Sequence, residues 1–314
     1  MSDTLDTSKI LDGKKVAARI HEDLARRVEA LISGGGRAPK LVAVLVGDNP
    51  ASAAYVGSKA KTCVKVGMEG ETLRLDDDVT QEHLEGEIKR LNEDSTVDGI
   101  LVQLPLPAHI DERRILELVS PEKDADGFHP VNVGRLWTGE DCLAPATPSG
   151  IVEMLKRCDI PLSGRHAVIV GRSNIVGKPM AGLLLRESCT VTICHSRTTD
   201  LPAVCRQADI LVAAVGRTAM IGPDHVRDGA VVIDVGMNKV DTEKELRSLY
   251  PDNDQRAARF AKKGYILTGD VDYHHVFPKA AAITPVPGGV GPLTVAMVVA
   301  NTLQASLRLQ GRDA

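Results

Sequence analysis

The stretch Val168–Met180, VIVGRSNIVGKPM, joins an apolar, β-branched run to a glycine turn and then to residues suited to the start of a helix. Glycine at such a turn lets the backbone approach a pyrophosphate, and the amino terminus of the next helix offers free N–H groups and a positive dipole end. The spacing is not the usual GxGxxG, because Ser173 stands where the second glycine would be and Gly177 comes late. A tight strand-to-helix turn without a ligand is therefore the alternative interpretation.

The next apolar run, TVTICHSRT, ends about 25 residues further on, where an NAD-binding fold usually carries an acid for the ribose hydroxyls. Positions 195–198 hold His, Ser, Arg and Thr instead. A carboxylate would repel a 2′-phosphate, whereas Ser196, Arg197 and the nearby Arg172 can hold it by charge-assisted hydrogen bonds. The pattern favours NADP over NAD, although Arg197 could also be a solvated surface charge. The candidate cofactor-binding residues are Gly171, Arg172, Ser173, Gly177, Ser196 and Arg197.

Apolar runs alternate with helical patterns along the whole chain, which is typical of parallel α/β sheets. Strands are expected at 41–47, 71–75, 98–104, 166–171, 190–195, 209–216, 230–236 and around 265–271. At 314 residues the chain exceeds the usual single-domain size. We therefore predict two parallel-sheet α/β domains with a cleft between them, the second a Rossmann-like dinucleotide-binding domain. The change of domain is placed near PATPSGIVEML, where Thr147 and Pro148 are expected to cap a connecting helix.

Composition narrows the class of protein. With 38 Lys and Arg against 42 Asp and Glu the net charge is −4, and no basic block is present, which argues against nucleic acid or an anionic membrane as a partner. The start, MSDTLDTSKILDGKK, does not fit a secretory signal or a transit peptide, and the late apolar stretch PLTVAMVVANTLQASL is predicted to be a buried helix. Six cysteines without a CxxC pair indicate reduced thiols in a cytoplasmic protein. Cys63 is expected to be a small buried hydrophobe, with a reactive thiol as the alternative.

A second group of motifs lies before the glycine turn. In NPASAAYVGSKAKTC (49–63), Asn49 and Pro50 predict a helix start, so that Tyr55 and Lys59 share one helix face. A Tyr-x-x-x-Lys pair is also found in short-chain dehydrogenases, but there it follows the glycine turn within the same domain. Here the pair precedes the turn and belongs to the other domain. An exposed pair with an extended lysine is the alternative.

Three further features surround this pair in the sequence. Gln103 ends a predicted parallel strand, at the edge where open α/β sheets usually present ligand residues. The loop PEKDADGFHPVN contains Asp124 and Asp126, and TPVPGGVGPLT (284–294) packs three prolines and three glycines before a long helix. A capping amide and a turn former are the alternatives for Gln103 and Asp126. The proline- and glycine-rich loop suits close backbone contact with a flat ligand.

The motifs NPASAAYVGSKAKTC, GILVQLPLP, KDADG, GRSNIVGKP, TGDV and PVPGGVGPLT, in this order, resemble the bifunctional methylenetetrahydrofolate dehydrogenase/methenyltetrahydrofolate cyclohydrolase family in its compact bacterial form. The resemblance extends from about Leu11 to the last helix. It implies NADP-dependent oxidation of 5,10-methylenetetrahydrofolate and hydrolysis of the methenyl product to 10-formyltetrahydrofolate, in one-carbon metabolism. It also implies a cytoplasmic homodimer, with residues 1–147 and 288–314 as the folate-binding catalytic domain and 148–287 as the NADP-binding domain.

The resemblance also implies roles for individual residues. Lys59 is central to the cyclohydrolase step, Gln103 tunes it, Tyr55 orients the folate and Asp126 holds the pterin. The candidate substrate-binding residues are Tyr55, Asp126, Pro287, Gly288 and Gly289. The residue chemistry agrees, because a lysine beside a developing cation would have a lowered pKa and could transfer a proton near neutral pH.

Hydride transfer needs positioning rather than a protein base, because the cofactor carries the chemistry. No metal is expected, and the paired histidines at 274 and 275 are left without a metal role. Two other functions stay open at this point. One is a monofunctional methylenetetrahydrofolate dehydrogenase, and the other is a non-catalytic nucleotide-sensing protein of the same fold.

Overall fold

The computed structural model describes residues 7–251 and 253–312. In chain order the helices and strands are α1 (Gly13–Ser33), β1 (Lys40–Val46), α2 (Pro50–Lys65), β2 (Glu69–Leu75), α3 (Gln81–Glu93), β3 (Gly99–Val102), α4 (Glu112–Leu118), α5 (Pro130–Thr138), α6 (Ala146–Arg157), β4 (His166–Val170), α7 (Gly177–Arg186), β5 (Thr190–Cys194), α8 (Leu201–Cys205), β6 (Ile210–Ala213), β7 (Val231–Asp234), β8 (Asn238–Val240), α9 (Glu243–Leu249), α10 (Asp254–Lys263), β9 (Ile266–Thr268), α11 (Tyr273–Val276), β10 (Ala282–Ile283) and α12 (Val290–Leu309). Short 3-10 helices lie at Thr7–Lys9 and Pro223–His225.

The chain divides into two compact units. The three-stranded unit comprises Ala17–Gly150 and Thr294–Ala314, and the five-stranded unit comprises the chain up to Val16 and Ile151–Leu293. The prediction of two α/β domains with parallel sheets is confirmed. The cleft expected between them stays a prediction.

The bounds of the units differ from the predicted domain bounds. The residues before helix α1 belong to the five-stranded unit, because Ile10 forms a bridge with Ile283 and the Leu11 N–H donates to the Ile283 carbonyl at 2.9 Å. The other changes of unit fall at 150/151 and 293/294, rather than at 147/148 and 287/288. The start of the sequence, which is predicted not to be a secretory signal or a transit peptide, includes residues 1–6, and these lie outside the described residues.

The three-stranded unit is built on a parallel sheet of order β2-β1-β3. Strand β1 lies in the centre, and six of its seven residues are buried, which explains its wholly apolar sequence. Apolar residues of α3 and α4 pack against this sheet to form the core, with Leu84, Ile88 and Ile115 at its centre. The sheet therefore presents the ends of β1 and β3 at one edge, where Gln103 follows β3 directly.

Helix α12 is the core helix that ends the chain. By length and composition it is, among the described residues, the one helix that could cross a membrane, but 67% of its most apolar window is buried inside the protein. Its polar side chains are satisfied internally: Asn301 Nδ2 donates to the carbonyls of Ala125 and Ala144, each at 2.9 Å, and Thr302 donates to Val298. The prediction of a buried helix is confirmed.

The five-stranded unit holds a parallel sheet of order β10-β7-β6-β4-β5. The first strand, β4, has β5 on one side and β6 on the other, so the chain changes its direction of winding at the carboxyl end of β4. Open α/β sheets bind their ligands at such a switch point. The strand predicted around 265–271 is present as β9, but it pairs with β8 in a separate antiparallel ribbon, and β10 completes the sheet instead.

The ribbon β8–β9 and helices α9 and α10 form a segment of their own, which we call the helical segment (residues 238–251 and 253–268). It has a small core of Val240, Leu246, Tyr250 and Ile266, with Leu249 and Phe260 packed against it. In the sequence, the helical segment is inserted between β7 and β10, two strands of the parallel sheet.

One predicted cap is wrong. Helix α6 begins at Ala146, so Thr147 and Pro148 lie inside its first turn instead of preceding it. The Ser149 N–H donates to the Pro145 carbonyl at 3.0 Å, which places the start of the helix before Thr147. The Thr147 hydroxyl is engaged elsewhere, at 2.9 Å from the hydroxyl of Thr294.

Candidate active site

Helix α2 carries two of the predicted site residues. It starts where the sequence indicates, because the Asn49 side chain accepts hydrogen bonds from two backbone N–H groups of the first turn at 3.0 and 3.1 Å, and Pro50 occupies an initial position. Tyr55 and Lys59 therefore lie one turn apart on the same face. Lys59 Nζ is 5.4 Å from the centroid of the Tyr55 ring.

Lys59 is buried, with 4% of its surface exposed. Its Nζ donates to Oε1 of Gln103 at 3.2 Å, and Gln103 Nε2 donates to the carbonyl of Leu104 at 2.8 Å. The second bond fixes which way the amide points, so the oxygen faces the lysine. The structure thus brings together Lys59 and Gln103, which are 44 positions apart in the chain.

The loop after α4 presents Asp126. The buried carboxylate of Asp124 shapes this loop by accepting hydrogen bonds from the Gly127 N–H at 3.0 Å, the His129 N–H at 2.8 Å and Asn132 Nδ2 at 3.0 Å. Asp124 is therefore the turn-forming acid of the pair. Asp126 is left to interact with Lys59 through its charge.

Burial dominates the protonation of this cluster. Burial lowers the pKa of Lys59, and the charge of Asp126 opposes that change. Burial raises the pKa of Asp126, while Lys59 lowers it and Asp124 raises it. Burial also raises the pKa of the Tyr55 phenol, against a hydrogen bond from Thr294. A buried amine with a lowered pKa, held by an amide oxygen, can take up or release a proton closer to neutral pH than an exposed lysine.

Sequence reasoning missed the residues that support the cluster from α12. Thr294 bonds the Tyr55 hydroxyl and lies 2.9 Å from the hydroxyl of Thr147, which is 147 positions away. Asn301 holds the carbonyl of Ala125, next to Asp126. No local pattern marks these residues, because each acts through a partner that is distant in the chain.

The glycine turn after β4 requires its glycines. Gly171 has φ of +129°, and a Cβ there would lie 2.1 Å from the carbonyl oxygen of Ala214. A Cβ on Gly177 would lie 2.2 Å from the Gly171 carbonyl oxygen. Ser173 has a different use from the glycine it replaces: its Oγ accepts the N–H groups of Val176 and Gly177 at 3.1 and 3.3 Å, at the amino end of α7.

The turn after β5 lies at the same edge of the sheet, because β4 and β5 are neighbouring parallel strands. The Gly171 N–H donates to the carbonyl of Cys194 at 2.9 Å, which joins the two turns. His195 Nδ1 accepts the Arg197 N–H at 3.1 Å, and this tight turn leaves Ser196 and Arg197 exposed. Arg172 is exposed as well. Two arginines lie in these two turns, and residues 171–177 and 195–198 contain no acid, which fits a cofactor that carries a 2′-phosphate.

Pro287, Gly288 and Gly289 form a turn just before α12. Gly288 has φ of +112°, and the Gly289 N–H donates to the Pro285 carbonyl at 2.8 Å. This turn belongs to the five-stranded unit and the Lys59 cluster to the three-stranded unit. The structure thus gathers the four candidate catalytic residues in one unit and the six candidate cofactor-binding residues at one edge of the other.

Cys63 and the paired histidines at 274 and 275 are given no part in these clusters. Cys63 is fully buried, and burial raises the pKa of its thiol to about 12, so the reactive alternative is wrong. His275 Nδ1 lies 2.8 Å from Asp272. Across the described ranges, no group of three or more His, Cys, Asp and Glu side chains could hold a metal ion.

The fold and both clusters define a nucleotide-dependent α/β enzyme with a separate catalytic unit. Two family models cover most of the chain: the tetrahydrofolate dehydrogenase/cyclohydrolase catalytic domain matches residues 11–126, and the NAD(P)-binding domain of the same family matches residues 145–310. The chain belongs to the tetrahydrofolate dehydrogenase/cyclohydrolase family.

Relatives of known name are similar in sequence to this chain along nearly its whole length. The chain is 50% identical over 304 residues to Bifunctional protein FolD of Porphyromonas gingivalis, covering 96% of this chain and 97% of that protein. It is 51% identical over 303 residues to the protein of that name from Solibacter usitatus, covering 96% and 99%.

Solved structures give the same result. The bifunctional methylenetetrahydrofolate dehydrogenase/cyclohydrolase of Campylobacter jejuni is 43% identical with a TM-score of 0.85, covering 95% of this chain and 98% of that one. The Trypanosoma brucei enzyme, solved in complex with NADP cofactor and inhibitor, is 38% identical with a TM-score of 0.84, covering 95% and 97%.

Proposed function

We propose that this chain oxidises 5,10-methylenetetrahydrofolate in an NADP-dependent step and then hydrolyses the resulting methenyl cation to 10-formyltetrahydrofolate. Family membership over both domains supports the pair of reactions. The observation that carries the second reaction is the buried Lys59 whose Nζ contacts Gln103 Oε1. Binding a nucleotide alone would not require a lysine in this environment.

In the first reaction the chain binds and orients. NADP⁺, when bound, supplies the hydride acceptor. The turn at Gly171 allows close approach of the phosphates. The first N–H groups of α7 are bonded to Ser173, so this helix contributes the positive end of its dipole. Arg172, Ser196 and Arg197 are exposed at this edge and recognise the 2′-phosphate.

In the second reaction Lys59 acts as the group that transfers a proton. Because burial lowers the pKa of Lys59, a larger fraction of its amine is neutral than at an exposed position. The neutral amine can accept a proton when water adds to the methenyl cation. Gln103 keeps the amine in place through its oriented oxygen. The positive charge of the substrate disfavours a second positive charge on the lysine, which strengthens this effect.

The remaining residues hold the substrate. The Tyr55 ring offers a flat face for stacking, and its hydroxyl is fixed by Thr294. The Asp126 carboxylate accepts charge-assisted hydrogen bonds from N–H groups of the pterin ring. Pro287, Gly288 and Gly289 contribute a backbone surface with few side chains, suited to a flat ligand.

Substitution of Lys59 by methionine tests the second step. Lys59→Met keeps the length of the side chain but removes the amine, so hydrolysis of added methenyltetrahydrofolate should fall by about 10²–10⁴-fold. The affinity for NADP⁺, measured by fluorescence titration, should stay at the wild-type value. Lys61→Met, an exposed position on the same helix, is the matched control. Wild-type hydrolysis by the Lys59 variant would refute the assignment.

A cytoplasmic homodimer belongs to the same proposal. The edge strand β5 leaves Ile193 exposed and the neighbouring α7 leaves Leu185 exposed, which supports a second copy at this edge. Sedimentation equilibrium measures the mass directly, and a single-chain mass at micromolar concentration would contradict the dimer.

A further inference from the structure

Arg256 of α10 joins the helical segment to Val286, the residue directly before the Pro287–Gly289 turn. Its Nη2 donates to the carbonyl oxygen of Val286 at 2.8 Å, and its Nη1 donates to the carbonyl oxygen of Leu267 at 3.1 Å. The guanidinium group also lies 3.9 Å from the centroid of the Tyr250 ring. One half-buried side chain thus joins α10, β9 and the residue before the turn.

The turn depends on backbone contacts for its position. Proline has no N–H group and glycine has no side chain, so Pro287, Gly288 and Gly289 have few groups with which to anchor themselves. Thr284 Oγ1 accepts the Asp234 N–H at 2.7 Å and fixes the start of the stretch. The Val286 carbonyl, directly before Pro287, is the point at which Arg256 holds it.

Arginine suits this position better than lysine. A planar guanidinium group can donate to two carbonyls in different directions while it stacks on an aromatic ring, whereas an ammonium group is a single compact donor. The stacking partner is itself fixed, since the Tyr250 hydroxyl lies 2.5 Å from Thr268 Oγ1 and Tyr250 belongs to the core of the segment. The anchor of Arg256 is therefore rigid.

We propose that Arg256 is a positioning residue for folate binding: it holds the Val286 carbonyl and, with it, the Pro287–Gly289 turn. The helical segment then sets the affinity for the folate substrate through the conformation of this turn. The inference rests on the proposed function, which gives the turn its contact with the folate.

The test compares Arg256→Met with Arg259→Met. Both variants replace an arginine of α10 by a residue of similar length and helix propensity, but Arg259 is exposed. Loss of hydrogen bonds from a charged donor should raise the KM for 5,10-methylenetetrahydrofolate about tenfold in the Arg256 variant. The KM for methenyltetrahydrofolate should rise in parallel, while kcat and the Kd for NADP⁺ stay near the wild-type values. Arg256→Lys should restore part of the loss, and Arg259→Met should behave as wild type.

Hydrogen exchange adds a readout that needs no turnover. The amides of residues 286–291 should exchange faster in Arg256→Met than in Arg259→Met, because the turn has lost its anchor. An unchanged folate KM in an active Arg256→Met enzyme overturns the inference and leaves the proposed function standing, as does an equal rise in the Kd for NADP⁺, which would indicate general loosening. Unchanged exchange at 286–291 also overturns it. A wild-type chain without folate turnover would instead remove the proposed function, and the role of Arg256 in folate binding with it.

Discussion

At the scale of single residues, the proposed hydrolysis depends on Lys59, a buried lysine whose charged form is disfavoured by folding. Lys59 is buried beside Gln103 and Tyr55, and Asp126 only partly offsets the loss of hydration. Loss of hydration around a buried amine lowers the stability of the fold. We therefore expect Lys59 to serve function rather than stability, because functional residues are often destabilising.

The lowered pKa of Lys59 predicts how stability changes with pH. Between the lowered pKa of the folded state and the value of 10.5 of an exposed lysine, the unfolded chain binds more protons than the folded one, so wild-type stability rises with pH in this window. Lys59→Met removes that dependence. Its Tm relative to wild type should therefore be highest near neutral pH and should fall as the pH rises towards about 10. A Tm difference that stays constant across this range in scanning calorimetry would contradict a lowered pKa.

Arg172 supplies a second prediction at this scale. If it recognises the 2′-phosphate, Arg172→Ala should weaken NADP⁺ binding by about tenfold or more and leave NAD⁺ binding nearly unchanged. Arg186→Ala, exposed in the last turn of α7, is the control. Calorimetric titration with each nucleotide measures the difference. Equal losses for both nucleotides would assign recognition of the 2′-phosphate to other residues.

At the scale of elements, helix α2 determines where Tyr55 and Lys59 lie, and Asn49 determines where α2 begins. Asn49→Ala should cost about 1 kcal/mol of unfolding free energy. It should also lower cyclohydrolase activity, since the helix carries two residues of the site. Thr80→Ala removes a similar cap from α3, where the Thr80 hydroxyl accepts the His83 N–H at 3.2 Å, and α3 carries no residue of the site. Both activities are compared at denaturant concentrations that give the two variants the same free energy of unfolding. Equal losses of cyclohydrolase activity would contradict a specific role of α2 in the site.

The elements also show what the sequence could and could not predict. Local patterns were sufficient for the buried strand β1, the capped start of α2 and the turn at Gly171, because their causes lie within a few residues. Strand β10 was not predicted, since two residues carry no periodicity, and the pairing of β9 with β8 depends on contacts outside either strand.

The support of the site could not be read from the sequence for the same reason. Thr294 and Asn301 lie on an apolar core helix and act on partners more than a hundred positions away. Asp124 and Asp126 are two positions apart and of the same type, and only the hydrogen bonds of the folded loop separate the acid that shapes the turn from the acid that faces the lysine.

At the scale of the whole molecule, each unit carries one half of the proposed chemistry. The five-stranded unit holds the nucleotide edge at the switch point of its sheet, and the three-stranded unit holds the Lys59 cluster. Helix α12 starts directly after the Pro287–Gly289 turn and carries Thr294, which bonds Tyr55. A single chain can therefore carry both an oxidation and a hydrolysis.

The measurement that tests this account most directly is a spectrophotometric assay of the purified protein with 5,10-methylenetetrahydrofolate. The reduced nicotinamide and the methenyl product are followed together, with NADP⁺ and NAD⁺ in parallel. We expect faster reduction of NADP⁺ than of NAD⁺, little accumulation of the methenyl product, and hydrolysis of methenyltetrahydrofolate when it is added separately. Accumulation of the methenyl product without hydrolysis would leave a dehydrogenase alone and contradict the role of Lys59, and no reduction of either cofactor would indicate a protein that binds nucleotide without turnover.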